Sequence, residues 1–376
     1  MLLRVAASSD SVIIDSKLYT RINAMPDAIW IDRDAELPAL ARALESHAWI
    51  GVDTEFLRER TFFPKLCLLQ LAAGAQIWCV DTLRIGSLEP LLPALTAAAS
   101  RKIIHAARQD LEAVYLSAKR VISPVFDTQI AAGCIGLKPQ VGYAELVKTL
   151  LDRTVPKGQT RTDWSKRPLT RDQLDYAADD VLHLGEIAEI LQLRLRELGR
   201  EHWVLEDCLA LEDQRLYEPD PAQAWVRLRG LAQLPPQARG RAKAIAVWRE
   251  KIARGRDLPR AWILADPAIF SLAQGGPNPL NDSLAASLET ALADSPADDA
   301  PDLEPSQDAR PTPEQKAVIE RLGKIVDARA AQLEVSAEIL APRGELKALA
   351  MGAQHTHALS GWRREEIGSR LLAAIA

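Results

Sequence analysis

Two carboxylates lie two residues apart in an apolar segment near residue 50, and they are the first side chains that suggest chemistry. The segment 49–56 is rich in β-favouring residues, which predicts a strand with a buried surface, and it carries Asp53 and Glu55. Side chains two apart on a strand point to the same face, so the two acids would repel each other and lose solvation. A bound cation would remove both the repulsion and the cost of lost solvation. Alternatively, the two acids lie at a solvated strand end, where no cation is needed.

Two helical segments supply further acids. Asp110 falls in the first turn of a helix predicted over 108–118, where an acid also interacts favourably with the helix dipole. Tyr176 and Asp180 are four residues apart in a helical pattern and therefore share a face, while Asp179 would point elsewhere. A tyrosine above an acid is compatible with plain helix packing, or with a hydroxyl held beside a catalytic water.

Taken together, these acids form an all-oxygen donor set drawn from one strand and two helices: Asp53, Glu55, Asp110 and Asp180. Such a set selects hard ions, Mg²⁺ or Mn²⁺, rather than zinc. Two ions about 4 Å apart stabilise the attacking and leaving oxygens of a phosphodiester displacement. Several carboxylates are needed, because two dications and a phosphate must be held against their mutual repulsion. Asp53, central on the strand, is the expected bridge between the ions.

The order of these residues resembles the three motifs of the DEDD superfamily of 3′-5′ exonucleases, and the tyrosine resembles its DEDDy branch. Four further blocks resemble the bacterial ribonuclease D family, at residues 53–56, 60–64, 161–164 and 167–170. The resemblance extends from about residue 27 to the end of the sequence. It implies an α/β ribonuclease-H-like exonuclease domain, with a mixed sheet flanked by helices, followed by two small all-α HRDC-like domains (helicase and RNase D C-terminal).

The resemblance also implies roles for the site residues. Asp53 would bridge two Mg²⁺ or Mn²⁺ ions, Glu55 and Asp180 would complete the site of the ion that activates water, and Asp110 would serve the second ion, partly through water. Tyr176 would orient the attacking water, since its ordinary pKa of about 10 makes it a poor base at neutral pH. The expected products are nucleoside 5′-monophosphates, released from the single-stranded 3′ ends of tRNA precursors and other small structured RNAs.

Substrate contacts are expected from the first motif and from a basic loop over 153–167. They are assigned to Thr54, Phe56, Arg161 and Trp164. The alternative for Trp164 is that it docks into the core. Between Arg227 and Arg260, ten Lys and Arg residues stand against two acids, which predicts a track for an RNA backbone, or an ordinary charged helical surface.

Apolar periodicity predicts the secondary structure. Strands are expected at 28–31, 49–56, 67–71, 76–80 and 102–105, and helices at 32–47, 88–98, 108–118, 126–134, 143–151 and, as one helix or two, 168–199. Strands followed by a mixture of strands and helices favour a mixed sheet flanked by helices.

The sequence predicts an N-terminal extension at 1–26, which is either poorly ordered or precedes a true start at Met25. An exonuclease domain is expected at 27–217. It is followed by a first HRDC-like domain at 218–298, a linker at 299–313 and a second HRDC-like domain at 314–376. The segment 261–265 matches 337–341, which predicts an internal repeat, although Ala- and Leu-rich helices also match by coincidence. Deletion of 222–376 is expected to weaken RNA binding and to spare the metal site.

The composition sets the remaining limits. At 376 residues the chain is expected to form several domains, and its net charge of −5 confines nucleic-acid contacts to local basic patches. Four scattered cysteines argue against a zinc site or a disulfide framework. With no membrane-spanning run and no signal-peptide core, a cytoplasmic monomer is expected. Two alternatives stay open at this level: an exonuclease acting mainly on DNA, because the metal ligands do not distinguish the sugars, and a non-catalytic RNA-binding protein.

Overall fold

The computed structural model describes residues 28–156, 162–294 and 310–375, and within them six strands form one mixed sheet. The strands are β1 (Ile29–Ile31), β2 (Trp49–Leu57), β3 (Lys65–Ala73), β4 (Gln76–Val80), β5 (Arg101–Ile104) and β6 (Val125–Asp127). They lie in the order β1-β4-β3-β2-β5-β6, with β2–β3 and β3–β4 antiparallel and the other neighbours parallel. The predicted mixed sheet is confirmed. The predictions for residues 1–26 and for most of the linker at 299–313 lie outside the described residues.

Helices cover both faces of the sheet. One face carries α1 (Leu37–Glu45), α2 (Leu92–Thr96) and α3 (Arg108–Ala118), and the other carries α4 (Thr128–Cys134), α5 (Tyr143–Leu151), α6 (Arg171–Leu182), α7 (Leu184–Glu197) and α8 (Glu201–Leu211). Ile50 and Val52 of β2 are buried under the first face. Gly51 lies on the other face, where a Cβ would stand 3.4 Å from the carbonyl oxygen of Val181 in α6. The missing side chain therefore brings α6 close to the strand that carries the acids.

One predicted helix begins two residues late. The sequence pattern predicts helix over all of 126–134, but Phe126 and Asp127 end β6, and α4 begins at Thr128. The Asp127 carboxylate accepts hydrogen bonds from the backbone N–H groups of Gln129 and Ile130, as an N-cap does, and this fixes the helix start. A three-residue strand is too short for its apolar period to be separated from that of the following helix.

Two helical units follow the sheet domain, which extends over residues 28–217. The first contains α9 (Pro236–Arg256), α10 (Arg260–Ile263), α11 (Asp266–Ala273) and α12 (Asp282–Ala293). The second contains α13 (Pro313–Leu333), α14 (Ala337–Leu340), α15 (Arg343–Ala350), α16 (Gly361–Arg363), a π-helical turn (Arg364–Gly368) and α17 (Ser369–Ile375). No helix among the described residues has both the length and the apolarity needed to cross a membrane.

The first three helices of each unit repeat at a constant offset. The long helix ends before a left-handed residue at Asp257 in one unit and at Glu334 in the other, which gives 334 − 257 = 77. The next two helices start at 260 and 266, and at 337 and 343, so the offset is again 77. The sequence match of 261–265 to 337–341 has an offset of 76 and is therefore one residue out of register. The structural counterpart of Trp262 is Ile339.

The second helical unit shares a core with the sheet domain. The rings of Trp203 in α8 and Trp362 in α16 are stacked with centroids 4.0 Å apart. Arg363 donates to both carboxylate oxygens of Asp207, at 2.6 and 2.8 Å, and both side chains are nearly buried. Deleting 222–376 would therefore open the core that supports α4, α7 and α8 and should lower stability. The expectation that this deletion spares the metal site stays a prediction.

The first helical unit is attached through the segment that follows β2. One oxygen of Asp257 accepts hydrogen bonds from the backbone N–H groups of Phe62 and Phe63, each at 3.0 Å. The Phe62 ring is buried in the core of the first helical unit, where the guanidinium of Arg260 lies 4.4 Å from its centroid. The segment that leaves the acidic strand is thus part of the interface with this unit.

Candidate active site

Three of the predicted metal ligands converge in space. One oxygen from each of Asp53, Glu55 and Asp180 lies within 4.8 Å of the other two. Asp53 and Glu55 come from the α6-facing side of β2, and Asp180 comes from α6 itself. All three side chains are partly buried. A strand and a helix that pack closely at Gly51 therefore build an oxygen-lined cluster able to hold a divalent cation.

Both ends of α6 are held in place by hydrogen bonds. At its start, Thr170 and Gln173 form a capping box, and the Gln173 amide also donates to the Thr162 hydroxyl at 3.2 Å. At its end, the Tyr143 hydroxyl donates to the backbone carbonyl of Asp179 at 2.9 Å and accepts from the backbone N–H of His183 at 3.2 Å. The turn that carries Asp180 is thereby fixed relative to α5.

Asp110 lies beside this cluster and is held by Thr54. The Thr54 hydroxyl donates to the Asp110 carboxylate at 2.5 Å, and both side chains are buried. In this structure the Thr54 hydroxyl is engaged with a site carboxylate, so the predicted contact of Thr54 with substrate stays a prediction. Asp127 fixes the start of α3 from the other side, by accepting from the backbone N–H groups of Ala106 and Ala107.

Burial dominates the electrostatics of the four acids. It raises the pKa of Glu55 to about 9 and the pKa of Asp110 and Asp180 to about 7, and it raises the pKa of Asp53 well above its ordinary value. Repulsion adds to burial at Asp53, which faces the charges of Asp110, Asp180 and Glu55. Ionising this set at neutral pH is costly unless a cation is present, so the donor atoms and their charges fit a divalent metal site.

Tyr176 stands over the cluster and is supported by Trp164. Burial and then the charge of Asp180 raise the tyrosine pKa, so its hydroxyl stays protonated at neutral pH. A hydrogen bond from this hydroxyl opposes the rise in the pKa of Asp180. The Trp164 ring is 2% exposed, with its centroid 6.1 Å from that of Tyr176. The predicted contact of Trp164 with substrate is corrected: the ring docks into the core and backs the tyrosine.

An arginine absent from the predicted site residues holds the Trp164 loop to the sheet. Arg167 donates to both oxygens of Asp81, at 2.7 Å each, and to the carbonyls of Trp164 and Cys67, at 2.7 and 2.8 Å. The Asp81 side chain is fully buried. Arg167 lies in the block 167–170 that resembles the family, so the sequence could have marked it as important. Its pairing with Asp81, 86 residues away, is visible only in the fold.

Of three further residues of interest, the structure describes Phe56 and His105. Phe56 is partly buried and packs against the core on the α3 face, so its contact with substrate stays a prediction. Arg161 lies outside the described residues, and its role stays a prediction too. His105 contacts the Thr128 hydroxyl at 2.9 Å and the Val141 carbonyl at 3.0 Å through its ring nitrogens, as a structural histidine does.

The ten basic residues of the first helical unit differ in exposure and in contacts. Lys243 lies 5.9 Å from the Trp225 ring, and Arg227, although exposed, also lies 3.5 Å from the Glu250 carboxylate. Several are used internally: Arg239, Arg249 and Arg254 donate to backbone carbonyls, and Arg260 donates to Glu250. Others are exposed, namely Arg227, Arg229, Arg241, Lys251 and Arg256. The role of this exposed group as a track for an RNA backbone stays a prediction, and the group is half the size that the sequence suggested.

Comparisons with known proteins agree with this architecture. A family model described as 3′-5′ exonuclease matches residues 28–196, and a model described as HRDC domain matches residues 238–284. Both matches end before the second helical unit begins. The assignment of that unit as HRDC-like therefore stays a prediction, and the constant helix offset between the two units supports it.

Relatives with substantial identity extend over nearly the whole chain. Ribonuclease D of Granulibacter bethesdensis is 35% identical over 370 residues, which cover 93% of this chain and 92% of the relative. Ribonuclease D of Xanthomonas oryzae is 36% identical over 355 residues, covering 91% and 97%. The crystal structure of Escherichia coli RNase D, described as an exoribonuclease involved in structured RNA processing, superposes with a TM-score of 0.84 at 28% identity, covering 93% of this chain and 99% of that one.

Proposed function

This chain belongs to the ribonuclease D family and is a 3′-5′ exoribonuclease, and from that premise we propose that it releases nucleoside 5′-monophosphates by two-metal-ion hydrolysis. The observation that carries the proposal is the convergence of Asp53, Glu55 and Asp180 oxygens within 4.8 Å, beside Asp110 and under Tyr176. The family membership favours an exoribonuclease over a DNA exonuclease or a non-catalytic binding protein.

The donor set fits two hard divalent cations. Asp53 would be shared between them, Glu55 and Asp180 would complete one position, and Asp110, oriented by the Thr54 hydroxyl, would serve the other. When bound, Mg²⁺ or Mn²⁺ ions supply charge neutralisation at the scissile phosphate and lower the pKa of water. The raised pKa values of the carboxylates support this assignment, because a cation relieves both their burial and their repulsion.

The protein groups around the acids position the reactants. The Tyr176 hydroxyl lies next to Asp180 and would hydrogen-bond the attacking water, which fixes its approach to the phosphorus. Because the tyrosine pKa is raised by burial, this hydroxyl orients the water without taking its proton. Trp164 and the Arg167–Asp81 pair keep the tyrosine over the cluster.

We assign the substrate as RNA with a single-stranded 3′ end, with tRNA precursors as the proposed physiological class. The exposed basic residues of the first helical unit would contact the RNA backbone. The relation to an enzyme of structured RNA processing supports this choice. A cytoplasmic location and a monomeric state stay predictions.

The test uses a 5′-labelled RNA with a single-stranded 3′ tail, incubated with Mg²⁺, Mn²⁺ or EDTA. We expect a ladder that shortens from the 3′ end, is abolished by EDTA, and is absent with Asp180→Asn. Asp179→Asn is the matched control, because this neighbouring acid is not part of the three-carboxylate cluster found among the described residues, and it should leave the ladder intact.

A DNA oligomer of the same sequence completes the experiment. We expect RNA to be shortened faster than DNA under the same conditions. An unchanged RNA band in every lane, or equal activity of Asp180→Asn and wild type, would contradict the proposed mechanism.

A further inference from the structure

Trp262 is an exposed aromatic side chain on α10 of the first helical unit, with 57% of its surface accessible. The guanidinium of Arg60 lies 6.0 Å from the centroid of its ring. Arg60 lies in the segment that follows β2, three residues after the strand ends at Leu57 and five after Glu55 of the acidic cluster. The pair therefore lies on the chain path that connects the site to the first helical unit.

In the second helical unit, the position equivalent to Trp262 makes a contact with another part of the molecule. The counterpart of Trp262 in the second unit is Ile339, whose Cδ1 would lie 2.7 Å from a Cβ placed on Gly133 of the exonuclease domain. In the second unit the position is thus packed against α4. In the first unit the same position carries a larger, aromatic side chain that faces solvent.

The exposed charges of the first helical unit favour an acidic ligand. Five of its basic residues between 227 and 260 are exposed, whereas Glu250 is buried and accepts a hydrogen bond from Arg260. A flat aromatic face beside a guanidinium suits an unpaired base and its phosphate, since every base can stack and every phosphate carries charge.

We propose that Trp262 stacks on an unpaired base upstream of the 3′ end of the RNA, while Arg60 contacts a neighbouring phosphate. The inference rests on the proposed function and adds a second RNA contact point outside the acidic cluster. The inference predicts that Trp262 strengthens the binding of longer RNAs and not of very short ones, because a very short RNA would occupy the acidic cluster without reaching α10.

Binding is measured in the Asp180→Asn background, so that RNA is not consumed, with single-stranded RNAs of three and fifteen nucleotides. Trp262→Ala should raise the Kd of the longer RNA about 5- to 20-fold, as expected for loss of one stacked base, and should change the Kd of the shorter RNA less than twofold. Trp262→Phe should retain most of the affinity. Leu205→Ala, an equally exposed apolar position on α8, is the control and should have no effect.

An unchanged Kd for the longer RNA in Trp262→Ala would overturn the proposal, and so would an equal loss for both lengths, which would indicate a distorted site. These results are separate from the proposed function, which fails instead if the wild-type protein does not shorten RNA.

A second inference comes from Gln70, a fully buried amide on β3. Neither its Nε2 nor its Oε1 has a hydrogen-bond partner among the described residues. Gln70 lies directly opposite Asp53 of β2 and next to Cys79 of β4, and cross-strand neighbours share one face of a sheet. The unpaired amide is therefore on the side of the sheet that carries the acidic cluster.

A buried amide without a partner costs stability, and an apolar side chain of the same size would avoid that cost. We infer that Gln70 is a positioning residue whose amide N–H donates to the Asp53 carboxylate, directly or through one ordered water, when that carboxylate is shared by two cations. Hydrogen bonds of this kind hold a ligating carboxylate in one orientation.

The variants Gln70→Leu and Gln70→Met test this role, because each should stabilise the metal-free protein and weaken its binding of Mn²⁺. Without metal, both should raise the Tm, because the unpaired amide is gone. The increase in Tm on adding Mn²⁺ should shrink, and the Kd for Mn²⁺ by calorimetry should rise about 10-fold. Gln192→Leu, on α7 beside Trp49, is the control amide. Wild-type Mn²⁺ affinity in both Gln70 variants would overturn the inference.

Discussion

At the scale of single residues, the site is a set of acids that the fold makes expensive to ionise. Burial raises the pKa of each of the four carboxylates, and repulsion from other acids of the set contributes further at Asp53, Glu55 and Asp180. Placing them together destabilises the metal-free protein, and a bound cation recovers the lost free energy. The same arrangement that prepares the site for chemistry therefore links folding to metal and to pH.

Glu55 gives the clearest pH prediction. Its pKa is raised to about 9 in the folded protein, against about 4.3 in an unfolded chain, so the folded state binds more protons between these values. The free energy of unfolding of the metal-free protein should therefore fall as pH rises from about 4 to 9. Glu55→Gln should flatten this dependence and raise the free energy of unfolding at pH 8 by roughly 1–3 kcal/mol.

Urea unfolding at several pH values, in EDTA and again with Mg²⁺, measures this effect. With Mg²⁺ the wild type should become the more stable of the two proteins, because it gains metal-binding energy that Glu55→Gln has lost. Equal pH dependence of the two metal-free proteins would contradict the assignment.

Thr54 is expected to act through Asp110. Thr54→Val removes the hydroxyl that donates to the carboxylate and keeps the shape of the side chain. We expect kcat to fall about 10-fold at limiting Mg²⁺, with a smaller change in the KM for RNA, because the second metal position loses its orientation. Thr54→Ser should restore activity. Titration of the rate against Mg²⁺ decides the matter, and a large rise in KM at unchanged kcat would favour a substrate contact instead.

Tyr176→Phe separates orientation from binding. The variant keeps the ring that packs on Trp164 and loses the hydroxyl beside Asp180. We expect kcat to fall about 10- to 100-fold, within the usual range for an orienting group, with the Kd for RNA unchanged. Single-turnover rates and RNA binding measure the two quantities, and an unchanged rate would show that the hydroxyl has no part in the reaction.

At the scale of elements, α6 is the part of the site with the most external support. A capping box holds its start, Tyr143 holds its end, and the loop before it is fixed to the sheet by Arg167. A helix held at both ends keeps Asp180 and Tyr176 at fixed distances from β2, which an exposed loop does not achieve.

The Arg167–Asp81 pair is expected to be essential for this support. Arg167→Ala leaves the fully buried Asp81 carboxylate without its cation, which should lower the free energy of unfolding by about 3–5 kcal/mol. Arg84→Ala is the matched control: this arginine is 63% exposed and 3.6 Å from Asp32, and its loss should cost under about 1 kcal/mol. Denaturant unfolding compares the two, and equal losses would contradict the role assigned to Arg167.

At the scale of the whole molecule, the two helical units are attached in different ways. The second unit shares an apolar core and a nearly buried ion pair with the exonuclease domain, whereas the first is attached through the segment around Phe62 and Asp257. The second unit thus stabilises the domain that carries the site. The first carries exposed cations, for which we propose a contact with the RNA backbone.

Trp362→Ala tests the structural role of the second unit. Loss of the ring stacked on Trp203 should lower the free energy of unfolding by about 3–5 kcal/mol and should lower the activity that survives heating. Leu372→Ala, at a position 45% exposed on α17, is the control. If Trp362→Ala reduced RNA affinity and left stability unchanged, the second unit would be a binding module instead.

Sequence patterns predicted the mixed sheet, two helical units and the positions of the acids, three of which meet in the cluster. The catalytic role of these acids is implied by the family resemblance and stays a proposal. The predicted features are local: a D-x-E on an apolar strand, a tyrosine four residues before an acid on a helix, and regular apolar spacing all follow from the period of one element. The sequence also carried the repeat, but shifted by one residue, because an Ala-rich match does not fix register.

The tertiary structure alone decided which side chains serve these acids. Thr54 meets Asp110 from 56 positions away, Arg167 meets Asp81, and Trp203 meets Trp362, and none of these pairs is marked by spacing along the chain. Whether Trp164 faces substrate or core likewise depends on what packs above it. Local patterns fix which elements form, whereas burial and partner choice depend on how distant segments meet, and that information exists only once the chain has folded.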